Sequence, residues 1–252
     1  MKENRISYKR LFIFLLIAVP LSNIFRFDVF GTKARLEELP AWVYLPLTAV
    51  LEGSGVLTGA LLALYLLRRQ RRTQISFGGT SPGKALLMAL VPVLLLSFTG
   101  VRNGYDLQPN LYGFMAVSVS LLYCIMEEYG WRGYLQEELR ALKPLYRYPL
   151  IGLIWYLWHL SFLVETSLSE NLFFLGMLIF GSWGIGQVTG STRSVLAGAC
   201  FHLIIQLLMF NSLIKDGIDT SLKLTLLGIS VAVWLIILNT GRKKIKAPEN
   251  RV

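Results

Sequence analysis

Cysteine, histidine and acidic residues are all scarce in this chain of 252 residues, and each scarcity removes a class of explanation. The two cysteines, Cys124 and Cys200, lie inside apolar runs without CxxC spacing, so neither a disulfide framework nor a thiolate metal site follows. Histidine occurs only at His159 and His202, and no HExxH pattern places two imidazoles on one helix face. Fifteen acidic residues against 25 basic ones leave a net charge of +10. That sign suits nucleic acid, but the basic residues sit in short loops between apolar runs, so membrane topology explains them and no nucleic-acid partner is expected. The chain shows no long repeat and no low-complexity segment. It also shows no long polar stretch that would form a soluble specificity domain. After the basic start and the apolar run Leu11 to Val19 no small-x-small cleavage site follows, so this segment reads as an uncleaved first helix.

Apolar sequence is abundant: 54% of residues are hydrophobic and the mean hydropathy is +0.54, too apolar for a surface facing water. The apolar residues fall into runs of spanning length at 11–27, 42–67, 84–100, 111–131, 149–165, 172–189, 195–213 and 222–240. The fold expected is therefore all-α, a polytopic bundle of about eight transmembrane helices, with residues 1–252 as a single membrane domain. The first span is short and broken by Pro20, and the second contains Glu52. Paired glycines at helical spacing, Gly55 with Gly59 and Gly186 with Gly190, speak for close helix packing and not for chemistry.

Basic residues near span ends stay on the cytoplasmic side. One side collects Lys2, Arg5, Lys9 and Arg10; Arg68, Arg69, Arg71, Arg72 and Lys84; Arg132, Arg140, Lys143 and Arg147; Arg193; and Arg242, Lys243, Lys244, Lys246 and Arg251, 19 in all. The other side has six: Arg26, Lys33, Arg35, Arg102, Lys215 and Lys223. Both termini are expected in the cytosol, with the chain in a bacterial plasma membrane and lipid as its surroundings.

Ionisable groups in hydrocarbon are costly, about 2.5–3.5 kcal/mol each on insertion scales, and so tend to mark function. Here they are Glu127 and Glu128 in the fourth span, His159 in the fifth, His202 with Gln206 in the seventh, and an isolated Glu52. Helical rise places Glu127 roughly 8 Å, His202 roughly 12 Å and His159 roughly 15 Å from the basic side, one shallow layer that a site reached from the cytosol would need. Glu128 and Arg132, at i, i+4, can pair on one helix face, whereas Glu127 points away and is left free to act as a general base. Glu137 and Glu138 read as a solvated helix face beyond the bilayer edge. The best reading of Glu52 is a carboxylate facing a water-filled crevice, outside any motif.

The run Glu127-Glu128-Tyr129-Gly130-Trp131-Arg132 resembles the EExxxR signature of the type II CAAX prenyl protease and bacteriocin-processing family. The resemblance continues at Trp155 to His159, an aromatic residue four before a histidine, and at His202 to Gln206, close to the family's HxxxN, and covers about 111–210 as a catalytic core. Trp155 stands where phenylalanine is usual, a change compatible with aromatic packing, and Gln206 where asparagine is common. What the resemblance implies is an intramembrane endopeptidase acting on a peptide or lipid-modified protein substrate near the cytosolic membrane face. Glu127 would be general base, His159 would orient the attacking water, His202 with Gln206 would stabilise the oxyanion, and Glu128, Arg132 and Trp155 would support them. It implies a glutamate-based mechanism without a metal cofactor. Zinc held by Glu127, His159 and His202 is the chemical alternative.

Two other function classes compete. A membrane scaffold or bacteriocin self-immunity factor would keep the fold and act by binding. A transporter would relay protons through the same residues, but they form one layer rather than a chain across the membrane.

Overall fold

The computed structural model describes residues 6–66, 74–160, 167–209 and 211–240, and among them the secondary structure is helical with no strand. In chain order the elements are α1 (Tyr8–Arg26), α2 (Lys33–Glu37), α3 (Ala41–Leu66), α4 (Pro82–Thr99) and α5 (Pro109–Glu128). A π-helix (Tyr129–Leu135) continues α5 into α6 (Gln136–Glu138). Then come α7 (Pro144–Trp158), α8 (Leu168–Thr192), α9 (Val195–Met209), α10 (Ser212–Lys215) and α11 (Thr220–Asn239).

Six of these are long and apolar enough to cross a membrane: α1, α3, α4, the composite Pro109–Glu138, α8 and α11. The remaining two expected spans are shorter. Helices α7 and α9 have 15 residues each, about 22 Å of rise against a hydrocarbon core of about 30 Å. The expected fifth span, 149–165, is helical to Trp158, and its part beyond residue 160 lies outside the described residues. Large apolar side chains such as Phe98, Phe180 and Ile236 point outward, while Glu127, Glu128 and Arg132 are buried. This inverted surface is that of an integral membrane protein, whose solvent is lipid.

Local chemistry sets the helix boundaries. Proline stands in the first turn of α4, α5 and α7, where its missing N–H costs nothing. Ser167 and Glu170 form a capping box at the start of α8. Pro20 does not break the first span as expected: α1 runs through it from Tyr8 to Arg26, since neighbouring helices can satisfy the freed backbone in lipid. The glycine pairs mark close approaches. A Cβ on Gly55 would sit 2.2 Å from the Ser22 hydroxyl, and one on Gly59 would sit 2.9 Å from the Phe14 carbonyl oxygen, which packs α1 against α3. One on Gly186 would enter the Tyr148 ring, joining α7 to α8.

The loops collect at two ends. At the end that carries the start of α1 and the finish of α11, Ser76 bridges Ser194, the Gln74 N–H donates to Glu137, and Lys84 donates to the Thr240 carbonyl. Arg10 there donates through Nε to Glu138 at 3.0 Å and through its second nitrogen as well. Glu137 and Glu138 are therefore not a solvated face. Both are buried, 5% and 2% exposed, and each is satisfied by a partner from another segment. At the opposite end, Arg102 N–H donates to Gly217, the Tyr112 hydroxyl donates to Leu213, and Asn211 donates to Ser120.

Candidate active site

Immediately after Glu128 the α-helix widens into the π-helical stretch Tyr129–Leu135. Such insertions recur at functional sites because they re-aim side chains that a regular helix would hold apart. The close partner is α3: a Cβ on Gly130 would lie 2.2 Å from Val56 Cγ1 and 2.8 Å from the Val56 carbonyl oxygen. The wide turn brings two i, i+4 pairs to full contact at once. Arg132 Nη1 donates to Glu128 Oε1 at 2.9 Å, and Trp131 Nε1 donates to Glu127 Oε2 at 3.2 Å.

Glu127 is 1% exposed and is not left unpaired, contrary to the sequence expectation. Its Oε2 also accepts from Trp155 Nε1 at 3.0 Å, so two indoles clamp one carboxylate oxygen. The other, Oε1, makes no hydrogen bond, and its nearest cation is Arg26 Nη2 at 3.9 Å. Trp155 thus does more than pack: it supplies an N–H donor that phenylalanine lacks. Its ring also stands edge-on to His202, with centroids 4.8 Å apart, and 4.9 Å from the Arg132 guanidinium carbon.

His202 sits with Nδ1 2.9 Å from Glu128 Oε1, the same oxygen that receives Arg132. Glu128, Arg132 and His202 consequently form a buried cluster linking the π-helix to α9, rather than the isolated pair read from the sequence. One turn further along α9, Gln206 Oε1 accepts from the Cys124 thiol at 3.4 Å, which leaves the amide NH2 as its free end. His159 follows the last turn of α7, with its N–H bonded to the carbonyls of Trp155 and Tyr156 and its ring 4.6 Å from that of Trp158. That helix end is tied to α1: Asn23 donates to the Trp158 carbonyl at 3.1 Å, Trp158 Nε1 donates to Ala18 O at 3.2 Å, and the Arg26 guanidinium lies 3.6 Å over the Trp158 ring.

Glu127, Trp155, His159, His202 and Gln206 line one cavity of about 540 Å³. Glu128 and Arg132 stand behind it, outside the lining. Arg26, Glu52, Ser120 and Tyr123 share the cavity without having been singled out as site residues by motif. Glu52 faces a crevice as expected, but the crevice is the one that holds Glu127. Arg26 counted in the sequence as a loop cation at a span end, and only the packing of α1 against α3 and α7 turns it inward.

The cavity wall continues through Thr32, Lys33, Glu37, Tyr44, Tyr105, Ser212 and Leu213, all at the end of the bundle opposite the termini. The sequence reading set the site toward the basic side, yet the cavity opens at the basic-poor end. The fourth segment runs on to Glu138, seven residues past the expected end at 131, and all of those seven but Gly133 are buried. Among the described residues no group of three or more His, Cys, Asp or Glu side chains is placed to hold a metal ion.

No curated protein and no solved structure matches the chain. A family model does match, that of the type II CAAX prenyl endopeptidase, Rce1-like family, over residues 109–208. Over that stretch, less than half of the chain, which carries Glu127, Glu128, Arg132, Trp155, His159, His202 and Gln206, the sequence is similar to the Rce1-like type II CAAX prenyl endopeptidases.

Proposed function

We propose that the chain is an intramembrane endopeptidase in which Glu127 activates water for attack on a peptide carbonyl. The observation that carries this reading is the Glu127 carboxylate itself, 1% exposed on the cavity wall, with one oxygen held by two indoles and the other without a hydrogen-bond partner. A carboxylate fixed in that way cannot turn its free oxygen aside, so a water resting on Oε1 meets a proton acceptor of constant direction. His159, on the same cavity, orients that water. His202, which lines the same cavity with Nδ1 2.9 Å from Glu128 Oε1, is the imidazole placed to meet the developing oxyanion. The free NH2 of Gln206 adds a second donor.

In this reading water adds to the carbonyl carbon, its proton passes to Glu127, and the same proton goes to the amine as the C–N bond breaks. The second water proton leaves the new carboxylic acid for the released amine, so the products are a carboxylate and an ammonium group, and no redox partner or covalent intermediate is required. The substrate is a peptide or a lipid-modified protein segment able to enter a membrane cavity.

Glu127→Gln is the test, since it keeps the shape and the indole contacts but removes the base. Expected is loss of cleavage with unchanged abundance in the membrane. A Glu127→Gln protein that still performs its cellular role would replace the peptidase reading with the scaffold or self-immunity reading, for which the buried polar cluster serves only to hold the fold.

A further inference from the structure

The ends of the bundle differ in charge, and among the described residues the cavity opens at one of them. The mouth is formed by the segments between α1 and α3, between α4 and α5 and around α10, through Lys33, Glu37, Tyr105 and Ser212. All six basic residues of the sparse set, Arg26 through Lys223, belong to this end, while Lys9, Arg10, Lys84, Arg140, Lys143, Arg147 and Arg193 lie toward the end where α1 begins and α11 finishes, the side to which the sequence count gives 19 basic residues. The terminal end is closed below the site. Arg132 and Glu128 are 0% exposed, and beyond them Arg10 clasps Glu138 under the Tyr134 hydroxyl, which donates to the Arg10 carbonyl.

Basic residues in short loops are retained in the cytosol, so the richly basic end is the cytosolic one. We infer that the cavity opens on the extracytoplasmic face, and that this peptidase takes its peptide segment from outside the cytosol. The inference rests on the function proposed above for what enters, but not for which way the mouth points. It reverses the expectation of a site reached from the cytosol. It also requires the substrate to reach the outer leaflet or the space beyond it before it is cut, so a translocation step must supply this substrate.

The mouth suits a peptide more than a bare hydrocarbon chain. Lys33 and Glu37 stand at its rim, while Arg26 and Glu52 stand deeper, so an entering backbone meets charges of both signs before it reaches Glu127. Arg26 Nη1 is buried without a hydrogen-bond partner and is available to a carbonyl or carboxylate oxygen of the incoming segment.

Thiol labelling tests the direction without any substrate. Glu37→Cys and Ser212→Cys place exposed thiols at the mouth, and Gly83→Cys and Ser191→Cys place them at the other end, where a Cβ on Gly83 meets open space. The native Cys124 and Cys200 are buried and give the background. In spheroplasts of a bacterial host, a membrane-impermeant maleimide should label the first pair equally before and after permeabilisation. The second pair should react only afterwards. Thr48→Cys, inside the cavity, should react from outside with a small impermeant methanethiosulfonate. The reversed pattern at the two ends, or a Thr48→Cys thiol reached only after permeabilisation, overturns the inference. Because labelling does not read cleavage, an inactive chain with an outward mouth would count against the peptidase reading alone.

Discussion

Two indole N–H groups on a single carboxylate oxygen define the site at the scale of one residue. Hydrogen bonds to a charged group contribute more than neutral ones, about 1.5–3 kcal/mol each. Trp155→Phe restores the residue usual in the resembling family and removes one of the two donors while keeping an aromatic ring against His202. If the clamp fixes the base, this variant should lose about 10- to 100-fold in kcat, the equivalent of one such bond at 1.4 kcal/mol per tenfold, with little change in abundance. A fully active Trp155→Phe enzyme would mean that Trp131 alone orients Glu127. The same pair shows what motif reading leaves out. The spacing of Trp155 before His159 was visible, but the destination of its N–H was not, because the two residues it joins are 28 apart and meet only when α5 and α7 pack.

At the scale of an element, the π-helix decides which polar groups are brought together. Arg132, Glu128 and His202 meet across it with every member buried, and removing one charge from such a cluster strands the others. Arg132→Ala should therefore destabilise the protein by about 3–5 kcal/mol, the range for a broken buried pair. A lowered unfolding temperature in detergent and reduced membrane abundance would report it, alongside lost activity. A stable, fully active Arg132→Ala protein would show that His202 alone keeps Glu128 in place. The i, i+4 pairing of Glu128 with Arg132 was legible in the sequence; the third member was not, since nothing local ties residue 202 to residue 128. Nor was the π-helix itself legible from local sequence; within it Gly130 lies against the Val56 backbone of a different helix, a contact that no pattern along one helix announces.

For the whole molecule, the governing fact is that the charge-rich end and the open end are opposite ends. Helix α1 begins and α11 finishes at the first. A reporter that is active only outside the cytosol, fused after Val252, should accordingly be silent, and an active fusion would turn the whole bundle over and bring the mouth to the cytosol. The burial of Glu137 and Glu138 follows from the same geometry. They close the terminal end with Arg10 and the backbone of Gln74, which a surface pair beyond the bilayer would not do.

By itself the sequence determined the solvent, the helical class, the lopsided charge and the identity of the polar residues at the site, because each is set by composition or by spacing along one helix. Apolar runs of spanning length leave the backbone no way to satisfy its hydrogen bonds in lipid other than as helices. Tertiary structure alone decided how those residues meet: which oxygen of Glu127 is free, that Glu128 serves His202 as well as Arg132, that Arg26 and Glu52 join the cavity, and at which end it opens. Each of these depends on side chains from helices far apart in sequence, and on cavity shape, which is the space left over once the helices have packed. No single helix carries that information, so no periodicity within one could have disclosed it.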